Sequence, residues 1–76
     1  MIDMIDKIFG QVLKKLRMEK GLSQEEFAAN VGLHRTYISQ LERGLKSPSL
    51  GVMAKISSGL GITLVQLMTE LEQKQN

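Results

Sequence analysis

Residues 23–44, SQEEFAANVGLHRTYISQLERG, decide how this chain is read. They divide into two short helical segments around a glycine. Ser23 can cap the first segment, and Glu26 stands three residues later, the spacing of a reciprocal capping box. Phe27, Ala28 and Val31 form one apolar stripe. Gly32 ends the segment, because glycine adopts the left-handed conformation without steric cost, and Leu33 returns to the core. The second helix is predicted from Arg35 to Glu42 or Arg43, with Gly44 as its stop and with Ile38 and Leu41 facing inward. Two short helices joined by a tight turn are the layout of a helix-turn-helix.

The outer face of the second helix carries the chemistry. Arg35, Ser39 and Arg43 recur at every fourth position, with Thr36 and Gln40 beside them, and no acid falls among them. Arginine pairs bidentately with guanine, glutamine with adenine, and threonine meets the thymine methyl or a phosphate. Any solvated helix face can carry such residues. The preceding helix, the glycine turn and the flanking basic groups favour a DNA-reading face instead.

Working outward, Ile5, Ile8, Phe9, Val12, Leu13 and Leu16 recur with helical period over about 3–20, and Gly21 ends that helix. The loop Leu45-Lys46-Ser47-Pro48-Ser49 holds the chain's one proline, and Ser47 or Ser49 can cap the next helix. That fourth helix is predicted over 50–60, with Leu50, Met53, Ile56 and Leu60 on one side, and Gly59 and Gly61 weaken and end it. Thr63 caps a fifth over 64–73, with Leu64, Leu67, Met68 and Leu71 inward, and residues 73–76 are expected to fray. The five methionines fall at core-like spacings and are expected to fill gaps. No segment alternates as a strand does, so the fold class is all-α, one five-helix domain over 1–76.

Seventy-six residues allow one small core. The formal charge is only +2, but its distribution matters more. Between Lys7 and Lys20, the five basic residues Lys7, Lys14, Lys15, Arg17 and Lys20 meet a single acid, Glu19, and between His34 and Lys55, Arg35, Arg43, Lys46 and Lys55 meet only Glu42. A local basic face attracts a phosphate backbone. The absence of cysteine excludes disulfides and thiol catalysis and fits a cytoplasmic protein. Residues 1–10 do not read as a secretory signal, and no apolar run approaches the ~20 residues of a membrane span. His34, the one histidine, stands where a helix cap is expected and is read as a cap or a phosphate contact. Glu25 and Glu26 complement the positive end of their own helix. No cofactor, metal site or enzyme activity is expected.

The stretches LRMEKGLSQEEFA, GLHRTYISQLERG and SPSLGVMAKISSGLGI resemble the phage repressor/Cro (XRE-type) family of five-helix, lambda-repressor-like DNA-binding domains, over residues 10 to 71. The resemblance implies roles for particular residues. Gln24 holds a phosphate and braces the recognition helix. Arg17 and Glu42 form a structural ion pair, which ties the acid inward and away from DNA. Arg35, Thr36, Ser39 and Gln40 read bases, while His34, Tyr37, Arg43, Lys46 and Ser47 join Gln24 on the backbone. The chain departs from the family at His34, which replaces the usual serine, threonine or aspartate cap, and at Gly51 and Gly59, which lower the intrinsic stability of the fourth helix.

A stand-alone domain whose recognition helix opens RTYIS looks most like the controller proteins of restriction–modification systems. The implied function is a transcriptional regulator of its own operon, with double-stranded operator DNA and RNA polymerase as expected partners. An antitoxin-like module that binds a toxin as well as DNA is the alternative. One recognition helix reads too few base pairs to define a genomic site, so a homodimer on a symmetric operator is expected. Val52, Val65 and Met68 are its expected interface, because apolar residues at several points of one surface mark a contact.

Overall fold

The capping signals become hydrogen bonds in the computed structural model, which describes residues 4–75. The helices are α1 (Met4–Glu19), α2 (Gln24–Val31), α3 (Arg35–Glu42), α4 (Leu50–Gly59) and α5 (Leu64–Gln75), with no strand among the described residues. At the start of α2, the Glu26 N–H donates to Ser23 Oγ at 3.0 Å and the Ser23 N–H donates to Glu26 Oε1 at 2.9 Å. Gln66 closes the same reciprocal box with Thr63 at the start of α5. Ser49 caps α4 through the Val52 N–H. Gly32 closes α2 in the left-handed region, φ 71°, and its successor Leu33 donates to the Ala28 carbonyl.

The core is built from every helix. Leu13, Phe27, Ile38, Leu41, Ile56, Leu60 and Leu67 are fully buried, and each side chain stabilises the fold by about 1.5–3 kcal/mol. α1 packs across α3 and α5, α2 packs on α3 and α4, and α4 packs on α5. Two glycines set the closest approaches. A β-carbon at Gly10 would run into the carbonyl oxygens of Leu41 and Glu42, so α1 sits backbone-to-backbone on the last turn of α3. A β-carbon at Gly59 would strike Val31 and press on the Phe27 ring, so α4 lies tightly on α2.

Several expectations need correction. Leu50 does not join the inward stripe of α4; it is 69% exposed, because the first turn overhangs the core while Met53, Ile56 and Leu60 turn toward it. Gly61, at φ 72°, turns the chain after α4 as expected, but Gly59 does not end the helix. The helix includes it and is capped by Leu60, and the contact with α2 offsets the propensity that glycine lacks. α5 does not fray at residue 73 but continues to Gln75 through good helix formers, with Lys74 complementing the negative end of the dipole. Asn76, and Asp3 at the expected start of the first helix, lie outside the described residues. Met4 and Met18 are exposed rather than gap-filling, while Met53 and Met68 do pack on the core.

Candidate nucleic-acid interface

The short helix α3 has its two fully buried residues, Ile38 and Leu41, on one side, and this fixes which residues face out. Arg35 and Thr36 are exposed in its first turn. Ser39 and Gln40 are half-buried, and Arg43 is exposed at the C-cap. Tyr37 lies half-buried against the core. His34 occupies the N-cap position with extended backbone, yet its side chain makes no capping hydrogen bond, so the first N–H groups of α3 lack a side-chain partner. The Arg43 guanidinium turns back to the Ser39 carbonyl at 3.4 Å.

The one acid on α3 points away from this face. Arg17 Nε donates to Glu42 Oε2 at 2.6 Å and its Nη2 donates to Oε1 at 3.0 Å, a bidentate fork. The third donor of Arg17, Nη1, reaches the Leu22 carbonyl at 2.6 Å. Gln24 Nε2 adds a donor to Glu42 Oε1 at 2.9 Å. The Arg17 and Glu42 side chains are 9% and 3% exposed, so the pair is withdrawn from water. The hydrogen bonds to Glu42 hold the Arg17 guanidinium above its usual range, with burial opposing them, and it stays charged. This network joins α1, α2 and α3, and it puts the Gln24 amide on the inner side of the turn beside the recognition helix. Glu26 is held below the usual carboxylate range by the Ser23 backbone N–H and hydroxyl.

Beyond α3, Gly44 takes φ +74° and lets the chain reverse, with the backbone of Lys7 packed on it. Lys46 and Ser47 come next, both exposed. Ser47 is engaged, however, since its Oγ donates to Asp6 Oδ1 at 2.6 Å. A serine hydroxyl has one hydrogen, so while that bond stands Ser47 cannot donate to a phosphate. The structure thus brings Gln24, Arg17 and Glu42 together and leaves Arg35, Thr36, Arg43 and Lys46 exposed on the surface. The contacts of Asp6 and Gly10 are not legible in the sequence. Their partners lie more than thirty residues away, and nothing local to either residue signals a contact.

The residues expected at a dimer face are dispersed in burial. Val65 is 74% exposed on α5, whereas Val52 and Met68 are half-buried against the core. Val52 therefore is not the exposed apolar surface residue expected of an interface, because α4 packs between α2 and α5. Among the described residues no three His, Asp or Glu side chains converge as metal ligands, and no single helix is long and apolar enough to cross a membrane.

Comparison with known proteins extends this geometry. The Helix-turn-helix family model matches residues 13–67. The chain is 54% identical over 67 residues to control protein C.MunI of Mycoplasma sp, covering 87% of this chain and 90% of the relative. It is 44% identical over 63 residues to control protein C.BamHI of Bacillus amyloliquefaciens, covering 82% and 78%. Its structure is similar to the restriction–modification controller protein C.Esp1396I, solved as a tetramer in complex with its natural 35 base-pair operator, with a TM-score of 0.88 and 32% identity over 95% of each chain.

Proposed function

Because the chain belongs to the helix-turn-helix family that includes restriction–modification controller proteins, we propose that it is a sequence-specific DNA-binding transcriptional regulator that works as a homodimer on a symmetric operator and controls its own operon. The observation that carries this reading is the recognition helix itself. Its outer face is free of acid because Glu42 is drawn inward by Arg17 and Gln24, which leaves Arg35 and Thr36 exposed at its start.

In the proposed complex α3 lies in the major groove. Arg35, Thr36, Ser39 and Gln40 meet base edges, and Gln24, His34, Tyr37, Arg43 and Lys46 meet sugar and phosphate. The uncapped N–H groups at the start of α3 support a phosphate near His34. Two copies place their recognition helices about 34–36 Å apart, one helical turn of DNA. Val65, exposed on α5, anchors the self-association face, with the partly buried Met68 and Val52 contributing what they leave exposed. RNA polymerase is the further protein partner, the site of action is the cytoplasm where operator DNA lies, and the chain works as a regulator without enzyme activity. The identity to two control proteins favours this reading over an antitoxin module.

Footprinting on the DNA upstream of the chain's own reading frame tests the proposal. Two protected half-sites related by a two-fold axis are expected, with centres one turn or a multiple apart. Uniform weak protection that random DNA competes away equally well would overturn it.

A further inference from the structure

Asp6 lies in the first turn of α1, outside the residues that match the family model. A carboxylate beside a loop that runs along a polyanion is electrostatically adverse, and its presence asks for a compensating role. That role is visible in its contact. Asp6 Oδ1 accepts from Ser47 Oγ at 2.6 Å, across 41 positions of sequence. The neighbours of Asp6 close the same junction. The Lys7 backbone packs on Gly44, and Gly10 seats on the carbonyls that end α3. The loop between α3 and α4 is therefore held at three places. Leu45 N–H bonds to the Gln40 carbonyl at 2.9 Å, Ser49 caps α4, and Ser47 between them is tied to Asp6.

We infer that Asp6 is a positioning residue for DNA binding: by taking the Ser47 hydroxyl it fixes the loop after the recognition helix and aims Lys46 at the phosphate backbone. The inference rests on the regulator reading above. Lys46 is an exposed, flexible cation, and on a slack loop it would spread over many directions. With its neighbour pinned, less freedom is lost when it meets a phosphate. The charge on Asp6 is a drawback accepted for that order. An amide at this position would keep the acceptor and remove the repulsion.

Fluorescence anisotropy of the full chain, on a duplex carrying the upstream sequence and at several salt concentrations, tests this. Asp6→Ala and Ser47→Ala should each weaken binding by about threefold to tenfold, and the double variant should be no weaker than either alone. Asp6→Asn should bind at least as tightly as the native chain. Lys46→Ala should flatten the log–log salt slope by about one unit in the native background, and by clearly less in the Asp6→Ala background. Thermal melts of each variant set a temperature at which all are folded, and the salt slopes are compared there. That comparison separates aiming from a loss of stability, which leaves the slope contributed by Lys46 in place. Tighter binding by Asp6→Ala would reduce Asp6 to a repulsive charge. Weaker binding by Ser47→Ala with none by Asp6→Ala would return the hydroxyl to phosphate. An equal Lys46 effect in both backgrounds would also overturn the inference. A native chain with no preference for the upstream duplex would overturn the regulator reading instead.

Discussion

Replacing Arg17 by methionine removes the charge against which Glu42 is buried. With side-chain exposures of 9% and 3%, neither partner can turn to water. Loss of one partner from a fully buried pair costs about 3–5 kcal/mol. Here Glu42 keeps its bond from Gln24 at 2.9 Å, and a hydrogen bond to a charged group contributes about 1.5–3 kcal/mol. The residual charge is therefore partly compensated, and the expected loss is about 2–4 kcal/mol. A chain of 76 residues has a total stability of roughly 4–11 kcal/mol at the usual value per residue. The loss is a large fraction of that, equivalent to a fall in Tm of roughly 8–30 °C. Glu42→Gln should act in the same direction but less, because Arg17 keeps the Leu22 carbonyl and gains an amide oxygen. Replacing both partners by apolar residues, Arg17→Met with Glu42→Leu, should restore much of the stability, since no charge is then left buried. Urea unfolding followed by circular dichroism, at one fixed protein concentration so that self-association contributes equally, measures all of these. Unchanged midpoints in both single variants would refute the claim that the pair is desolvated, and a double variant as unstable as the sum of the singles would refute the charge-burial account of the loss.

Arg35→Ala should remove about 1–3 kcal/mol of specific binding and relax preference at one base pair per half-site; equal weakening on specific and random DNA would make Arg35 a backbone contact. Glu26 has a lowered carboxyl in the folded state, so its contribution to stability is full above the ordinary carboxylate range and is lost as pH falls through the lowered value. Glu26→Gln keeps the capping geometry without that titration, and its stability should fall less steeply between about pH 5 and pH 3, as followed by acid titration of circular dichroism. Val65→Asp, on an exposed position, should give a folded monomer, whereas Met68→Asp, which charges a residue packed on the core, should damage the fold. Sedimentation velocity with far-ultraviolet circular dichroism separates the two, and a native chain that stays monomeric at micromolar concentration with operator present would remove the dimer.

Local signals were the readable ones. Ser23 with Glu26, Gly32 and Thr63 announce helix ends within a few residues of themselves, and the structure places those ends there. The buried stripes of α1, α2 and α3 are legible from spacing alone. Leu50 is not, because hydrophobic periodicity assigns a face but not how far a helix extends past its neighbours. His34 is readable as a position and misleading as a cap. The Arg17–Glu42 pair is legible only through family resemblance, since two charges 25 positions apart carry no mutual signal in one sequence. Asp6 with Ser47, and the seats of Gly10 and Gly59, are tertiary facts of the same kind. A glycine inside a helix reads as a weakness until the neighbour that forbids a side chain is seen.

The seat of Gly10 bears on how this chain could be retargeted to a new DNA sequence. Side chains in a core can repack, but two backbones in contact cannot be pressed closer. The pitch of α3 relative to α1 is therefore set by a hard stop, against the carbonyls of Leu41 and Glu42, rather than by soft apolar filling. In the proposed complex, exchanges at positions 35, 36, 39 and 40 would alter what is read while leaving the angle of reading in place. A single methyl group at position 10 would do the reverse. It would force α1 and the end of α3 apart and, in the proposed complex, displace the reading side chains together.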